Sequence, residues 1–178
     1  VYARIPEFPG ETSGGGNAVT EALARLRLLA EDAPFRRFVV ARSLLLCSAL
    51  SAPFYVLLAR ERLGGEHWLL GLFVLSAGLA SLLAAPFWGR FADRSSRQVM
   101  VLGGGISGGI GAVIVLAAQF APGLVATAWF VPLAYFILSI AHDGVRVGRK
   151  TYIVDLAGGN KRTDYVAVSN TVIGVVLL

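Results

Sequence analysis

Charge is scarce in this 178-residue chain, and that scarcity excludes an ordinary soluble domain. Only 15% of the residues are charged and 56% are hydrophobic, whereas a soluble domain carries about 25% charged residues. The charged residues also cluster, because none occurs from Trp68 to Phe87 or from Gln98 to His142, which are runs of 20 and 45 residues. So few polar groups cannot cover a soluble surface, and the composition therefore predicts a membrane protein.

Cysteine, histidine and catalytic motifs are equally scarce. The single Cys47 excludes a disulfide or a cysteine-based metal site within the chain, and the two histidines, His67 and His142, do not form a pair at metal-ligand spacing. No Walker phosphate loop or G-x-S-x-G nucleophile elbow occurs. The net charge of +5 comes without a basic helix or an aromatic and basic surface motif. We therefore expect no enzyme activity, no metal, no cofactor and no nucleic-acid partner.

Long apolar segments are what the sequence has in abundance. A transmembrane helix needs about 20 mostly apolar residues to cross about 30 Å of hydrocarbon. The sequence predicts four complete spans and the start of a fifth, at about 39–60, 67–89, 98–119, 124–150 and 164–178. The predicted fold class is therefore an all-α, multi-pass membrane protein.

The distribution of lysine and arginine predicts the orientation of these spans. Fourteen of the 16 basic residues fall on one side of the predicted membrane, and only Arg60 and Arg62 fall on the other. Basic residues favour the cytoplasmic side of a membrane. The charged loop at 90–97 is therefore predicted to be cytoplasmic, and we place the protein in the cytoplasmic (inner) membrane of a bacterium.

The segment before the first span differs from the rest in composition. Residues 5–16 are rich in proline, glycine and serine, which is typical of a linker. Leucines at helical spacing predict an amphipathic helix near 17–31, which either lies along the membrane surface or packs on the protein as a plain linker helix. We therefore divide the chain into a polar cytoplasmic segment, 1–37, and a transmembrane helical domain, 38–178.

The glycine-rich stretch in the third span allows two interpretations. Gly103, Gly105 and Gly108 match the G-x-G-x-x-G fingerprint of dinucleotide binding, but no acidic residue follows at the required distance of about 20 positions. Small residues at helical spacing let membrane helices approach each other closely. We therefore interpret the stretch as a helix-packing motif formed by Gly104, Gly108 and Gly111.

The fourth span runs into a polar group formed by His142, Asp143 and Arg146. Ionisable residues inside a membrane mark functional sites by default, but the length of this span places the group near the cytoplasmic boundary. Two roles therefore stay open: an interfacial, structural one, and one in a water-filled path or in gating.

The loop between the second and third spans resembles a motif of the major facilitator superfamily. The family pattern at this place is similar to G-x-L-A-D-R-x-G-R-[RK], and this chain reads GRFADRSSRQ over 89–98. Three positions depart from the pattern: Phe91, Ser96 and Gln98. Gly89, Asp93, Arg94 and Arg97 are among the positions that match it.

This resemblance covers about 38–178 and implies part of a six-helix half of a transporter. We interpret the chain as a fragment from the C-terminal half, in which the polar segment is the central cytoplasmic loop. The fragment would then hold the seventh to tenth helices and the start of the eleventh. An N-terminal half with a trimmed tail is the alternative.

The function implied by the resemblance is that of a secondary active transporter, a permease that moves a small solute by alternating access. Its implied partners are the solute, the lipid bilayer and the missing half of the same transporter chain. The alternatives are a membrane-embedded structural or signalling protein without transport activity, and a membrane-bound enzyme.

In the family, the aspartate of the loop motif holds one conformational state through charge contacts on the cytoplasmic face. The resemblance makes Asp93 the anchor and Arg94 and Arg97 its cationic partners; the alternative for the two arginines is that they are simple topology signals. The solute site lies between the two halves near the bilayer midplane, where Tyr55 and Tyr135 would either line the path or pack as ordinary rings. The gating residues implied are Gly89, Arg90, Asp93, Arg94, Arg97 and, more weakly, Arg149.

Overall fold

The structure, a computed structural model, describes residues 25–65, 67–158 and 161–178. These residues form helices joined by short connections, with no strand among them, so the predicted all-α class is confirmed. In the predicted helix near 17–31, residues 17–24 lie outside the described part. The helices are α1 (Leu28–Glu31), α2 (Ala33–Leu45), α3 (Cys47–Leu50), α4 (Ala52–Leu63), α5 (His67–Phe120), α6 (Pro122–Val125), α7 (Phe130–Leu156) and α8 (Arg162–Val176).

The first membrane helix consists of α2, α3 and α4 in succession. Asp32 caps its start, because the Phe35 backbone N–H donates to Asp32 Oδ1 at 3.0 Å. Pro53 cannot donate a backbone hydrogen bond, and the helix is interrupted just before it, at Ser51. Gly64 ends the helix with a φ of 85°, a conformation that glycine adopts without a Cβ clash.

Helix α5 contains the second and third membrane helices. Its 54 residues would extend about 80 Å if straight, far more than one bilayer crossing requires. The backbone leaves the helical region at Ser95, with a φ of −164° and a ψ of 99°. Ser95 Oγ then accepts from the Gln98 N–H at 3.3 Å, which caps the second part. We call residues 67–94 α5a and residues 96–120 α5b.

The contacts with α7 show that the chain reverses at Ser95. Along α5a, Phe73 contacts Tyr135, and Ser81, further along, bonds Asp143, so α5a and α7 run in the same direction. Along α5b the order is inverted. A Cβ built on Gly103 would meet Ala141 and Val145, whereas the earlier Ser96 bonds Asp155 near the end of α7. The two parts of α5 are therefore antiparallel and both pack on α7.

Helix α7 begins at Phe130, and not at 124 as the sequence predicts. Residues 122–125 form the short α6, which ends at Ala126, and a turn precedes α7. This turn is apolar, so hydropathy alone assigned it to the span. The shift moves the polar group of the fourth span toward the middle of its helix, because His142 lies near the centre of the 27 residues of α7.

Three stretches are long and apolar enough to cross a membrane, by length and composition: Ala33–Leu63, His67–Phe120 and Phe130–Leu156. Within the most apolar part of each stretch, 44% is buried in α7, against 17% in Ala33–Leu63 and 22% in His67–Phe120. Helix α7 is therefore the central element of the bundle. Large apolar side chains elsewhere face outward, as a lipid environment requires, among them Leu44, Phe54, Val74, Leu82, Val101 and Val115.

Candidate functional site

A polar cleft of about 260 Å³ opens between the first membrane helix, α5a and α7. It lies between the two ends of the bundle, since the aromatic residues Phe73 and Tyr135 pack on one side along α7 and the Ser96–Asp155 contact lies on the other. Its polar lining comes from Ser48, Ser81, Tyr135, Ser139, His142 and Asp143.

Asp143 is the buried acid of this cleft, with only 8% of its surface exposed. Ser81 Oγ donates to its Oδ2 at 2.8 Å, and Arg146 Nη2 lies 3.0 Å from its Oδ1. A carboxylate taken out of water must be compensated by a counter-charge and by hydrogen bonds. Asp143 has both, one from α5a and one from its own helix.

His142 bonds the first membrane helix from the adjacent position. Its Nδ1 lies 3.1 Å from Ser48 Oγ, which itself donates to the Leu45 carbonyl oxygen at 2.8 Å. A serine hydroxyl has one hydrogen, so Ser48 accepts from His142 and the hydrogen is assigned to Nδ1. In a neutral imidazole, Nε2 is then the free acceptor.

The polar side chains of α7 continue toward its predicted cytoplasmic end. His142, Arg146 and Arg149 are spaced by four and three residues and so share one face of the helix. Arg149 is half-buried, and it lines a second cavity of about 390 Å³ together with Arg42 of α2 and residues of α8. We call this face the polar track.

The residues of the charged loop lie around the reversal at Ser95. Helix α5a continues through Arg94, and Arg90 Nη1 donates to the Pro86 carbonyl oxygen at 3.4 Å. Asp93, Arg94 and Arg97 are exposed and have no hydrogen-bond or ion-pair partner among the described residues. Among those residues, neither Arg149 nor the loop arginines form a hydrogen bond or an ion pair with Asp93, so the gating contact remains a prediction.

A sequence model for the Major Facilitator Superfamily matches residues 1–178, the whole chain. The chain belongs to the Major Facilitator Superfamily. No curated protein and no solved structure matches it significantly. Members of this superfamily are transporters, so the chain is an integral membrane protein of a transporter family, and the resemblance carried by the charged loop is confirmed.

The two tyrosines predicted to line the solute path lie in different surroundings. Tyr135 lines the cleft and packs edge-on against Phe73, with ring centroids 4.9 Å apart. Tyr55 is 4% exposed and belongs to the apolar cluster at the other end of the bundle from Ser95, and its hydroxyl oxygen finds no partner among the described residues. Tyr135 therefore forms part of the cleft wall and also packs against the apolar cluster, whereas Tyr55 packs within that cluster.

The predicted packing glycines, Gly104, Gly108 and Gly111, do not lie on the face of α5b that approaches the backbone of α7. A Cβ at Gly104 would meet the flexible side chain of Leu45 at 2.6 Å, one at Gly111 would make ordinary contact with Tyr55, and one at Gly108 would meet nothing within 4 Å. The backbone approach to α7 is instead made by Gly103. The glycines are so dense that several faces satisfy the small-residue pattern, and the sequence could not select among them.

One polar contact escaped the sequence analysis. Ser96, which stands where the family motif has its second glycine, is 4% exposed and donates to Asp155 Oδ2 at 2.7 Å. The replacement of the family's glycine by serine could have pointed to this contact, because a buried hydroxyl requires a hydrogen-bond partner. The contact ties the start of α5b to the end of α7.

Proposed function

We propose that this chain is part of a secondary active transporter, a permease that moves a small solute across the membrane by alternating access. The observation that carries the proposal is the compensated carboxylate of Asp143 in a polar cleft between apolar helices. His142 lies 12 residues after Phe130, about 18 Å along an α7 helix about 40 Å long. A polar group at that depth in a membrane helix is the residue pattern of a solute or ion path.

In this proposal the cleft residues bind the solute or its coupling ion. Asp143 supplies the charge, Ser81 and Arg146 hold it in place, and His142 lines the cleft beside it. Tyr135 and Ser139 complete the wall. The solute-binding surface would be shared with the other half of the transporter, since sites in this class lie between the halves.

The exposed charged loop supports a gating role. Asp93, Arg94 and Arg97 have no partner in the described part and lie at the predicted cytoplasmic reversal, with Gly89 and Arg90 on the preceding turns of α5a. An exposed carboxylate there can accept charge-assisted hydrogen bonds from the other half in one state and release them in the next. We place the protein in the bacterial cytoplasmic (inner) membrane, with this loop in the cytosol.

Transport by the full-length protein that contains this chain tests the proposal. A solute screen in membrane vesicles, with and without a pH gradient, identifies the solute. Asp143→Asn is then expected to reduce its initial rate at least tenfold, because a hydrogen bond to a charged group contributes about 1.5–3 kcal/mol. Asp93→Asn is expected to reduce the rate without changing the amount of protein in the membrane.

The matched control is Asp164→Asn. Asp164 is the carboxylate of the surface pair with Arg25, 3.1 Å apart, and its loss should leave the rate within twofold of wild type. Wild-type transport by Asp143→Asn at equal membrane levels would exclude the cleft as the path. A protein that transports no solute in the screen would favour the structural or signalling alternative.

A further inference from the structure

The second cavity, between the last turn of α2, the predicted cytoplasmic end of α7 and the first half of α8, is strongly basic. Its volume is about 390 Å³, which is sufficient for a small solute. No carboxylate is among its described lining residues, which are Arg42, Arg149, Lys150, Ile153, Val154, Arg162, Val166 and Asn170. Four cations therefore converge on one cavity without an acid.

Arg42 is held firmly but not neutralised. Its Nη1 donates to Ser169 Oγ at 2.5 Å and its Nη2 to Asn170 Oδ1 at 2.9 Å, and both acceptors are uncharged. Its Nε is buried and has no partner in the part of the chain that the structure describes. These bonds fix the direction of a planar guanidinium while leaving its charge free to attract an anion.

The described carboxylates nearest in sequence are engaged elsewhere. Asp143 pairs with Arg146, Asp155 accepts from Ser96, and Asp164 pairs with Arg25. Arg149, half-buried beside Arg42, has neither a hydrogen bond nor an ion pair with any described residue. Half-buried charges of one sign repel each other and lack part of their hydration, so the cavity favours an anionic occupant.

We propose that this cavity binds a small anion through carboxylate or phosphate oxygen atoms, and that the solute carried is such an anion. The inference rests on the proposed transport function and names its substrate class. Arginine guanidinium groups form bidentate bonds with carboxylate and phosphate. Arg149 lies on the polar track, two helical turns from His142. In this proposal the cavity is the binding site at the cytoplasmic end of the solute path, and the cleft lies further along the same path.

Direct binding of inorganic phosphate to the purified chain tests this inference. The chain is placed in phosphatidylcholine nanodiscs, and binding is followed by calorimetry at constant ionic strength, with chloride as the balancing anion. We expect saturable binding that weakens at least tenfold in Arg149→Gln and in Arg42→Gln and largely persists in Arg149→Lys. The matched control, Arg60→Gln, removes an exposed arginine from the opposite side and should bind as wild type does.

Two further measurements make the result decisive. Helical circular dichroism checks each variant, and if Arg42→Gln does not fold, Arg149→Gln and Lys150→Gln carry the comparison. Nanodiscs with phosphatidylglycerol distinguish a free anion from a lipid headgroup: persistence of phosphate binding supports the proposal, and its replacement by the lipid overturns it. Binding that is absent, or insensitive to the substitutions, also overturns it.

Failure of this inference can be told apart from failure of the proposed function. Transport of a cation or a neutral solute that is unchanged in Arg149→Gln would leave the transporter intact and reject the anion site. Phosphate binding that depends on Arg149, in a protein that transports nothing, would support the site and reject its role in a transport path.

Discussion

A close backbone approach between α5b and α7 gives the sharpest prediction. A Cβ added to Gly103 would lie 2.8 Å from the Ala141 carbonyl oxygen and 3.0 Å from the Val145 backbone nitrogen. Neither atom can rotate away, so Gly103→Ala forces α5b and α7 apart. Gly105, two residues further along the same helix, has nothing within 4 Å of the corresponding position, and Gly105→Ala is therefore the matched control.

The expected difference follows from two opposing effects. Overpacking a well-packed contact costs about 1–3 kcal/mol, whereas replacing glycine by alanine within a helix contributes up to about 1 kcal/mol in its favour. The helix-propensity contribution is common to both substitutions and cancels in the comparison. We therefore expect Gly103→Ala to be less stable than Gly105→Ala by about 1–3 kcal/mol, or roughly 5–150-fold in the unfolding equilibrium.

Unfolding in mixed micelles of a mild detergent and dodecyl sulfate, followed by helical circular dichroism, measures this difference. The two variants and the wild type are titrated under the same conditions and compared at the same temperature. Stabilities of the two variants within about 0.5 kcal/mol of each other would refute the close packing of α5b on α7 at Gly103.

Two further predictions concern the start of the first helix and the reversal of the chain. The Tyr165 hydroxyl and the Phe35 N–H donate to Asp32 and hold the pKa of its carboxyl below the ordinary value of 3.8. A lowered pKa stabilises the folded state above pH 3.8, and this stabilisation is lost as the pH falls through the folded-state pKa. The thermal midpoint should therefore fall less between pH 6 and pH 2.5 in Asp32→Asn than in wild type, and equal losses would contradict the assignment. Separately, Ser95→Cys in a Cys47→Ala background should react with a membrane-impermeant maleimide only after cells are opened, and prompt labelling of intact cells would reverse the predicted topology.

Hydrophobicity and charge act over whole segments, so they predict apolar helices more readily than the exact ends of those helices. The reversal lies within the charged loop, and all three predicted complete spans in Ala33–Leu63 and His67–Phe120 are helical. The register of α7 was less predictable. Its start is preceded by an apolar turn, in which nothing distinguishes a turn residue from a membrane-facing one, so the sequence placed Asp143 closer to the end of its helix than the structure does.

The candidate site was predictable in its residue types but not in its partners. A histidine, an aspartate and an arginine at the end of an apolar run stood out by composition, and all three lie on or beside the polar track. Ser48 and Ser81 carry no signal of their own, because serines are common in membrane helices. Only the packing of the helices shows that these two serines bond His142 and Asp143.

Helix α7 has a packing face and a polar face that are displaced from each other by one residue. Ala141, Gly144, Val145 and Gly148 are buried, and a Cβ at Gly144 would meet the Trp88 ring at 2.6–2.9 Å. The polar track of 142, 146 and 149 follows the same spacing, displaced by one position, which is about 100° around the helix. A substitution on the first face should therefore act on stability and one on the second on solute handling. Asp143 lies between the two faces and bonds α5a, so it alone should affect both, and a variant of Asp143 must be compared at equal folded protein before its transport rate is interpreted.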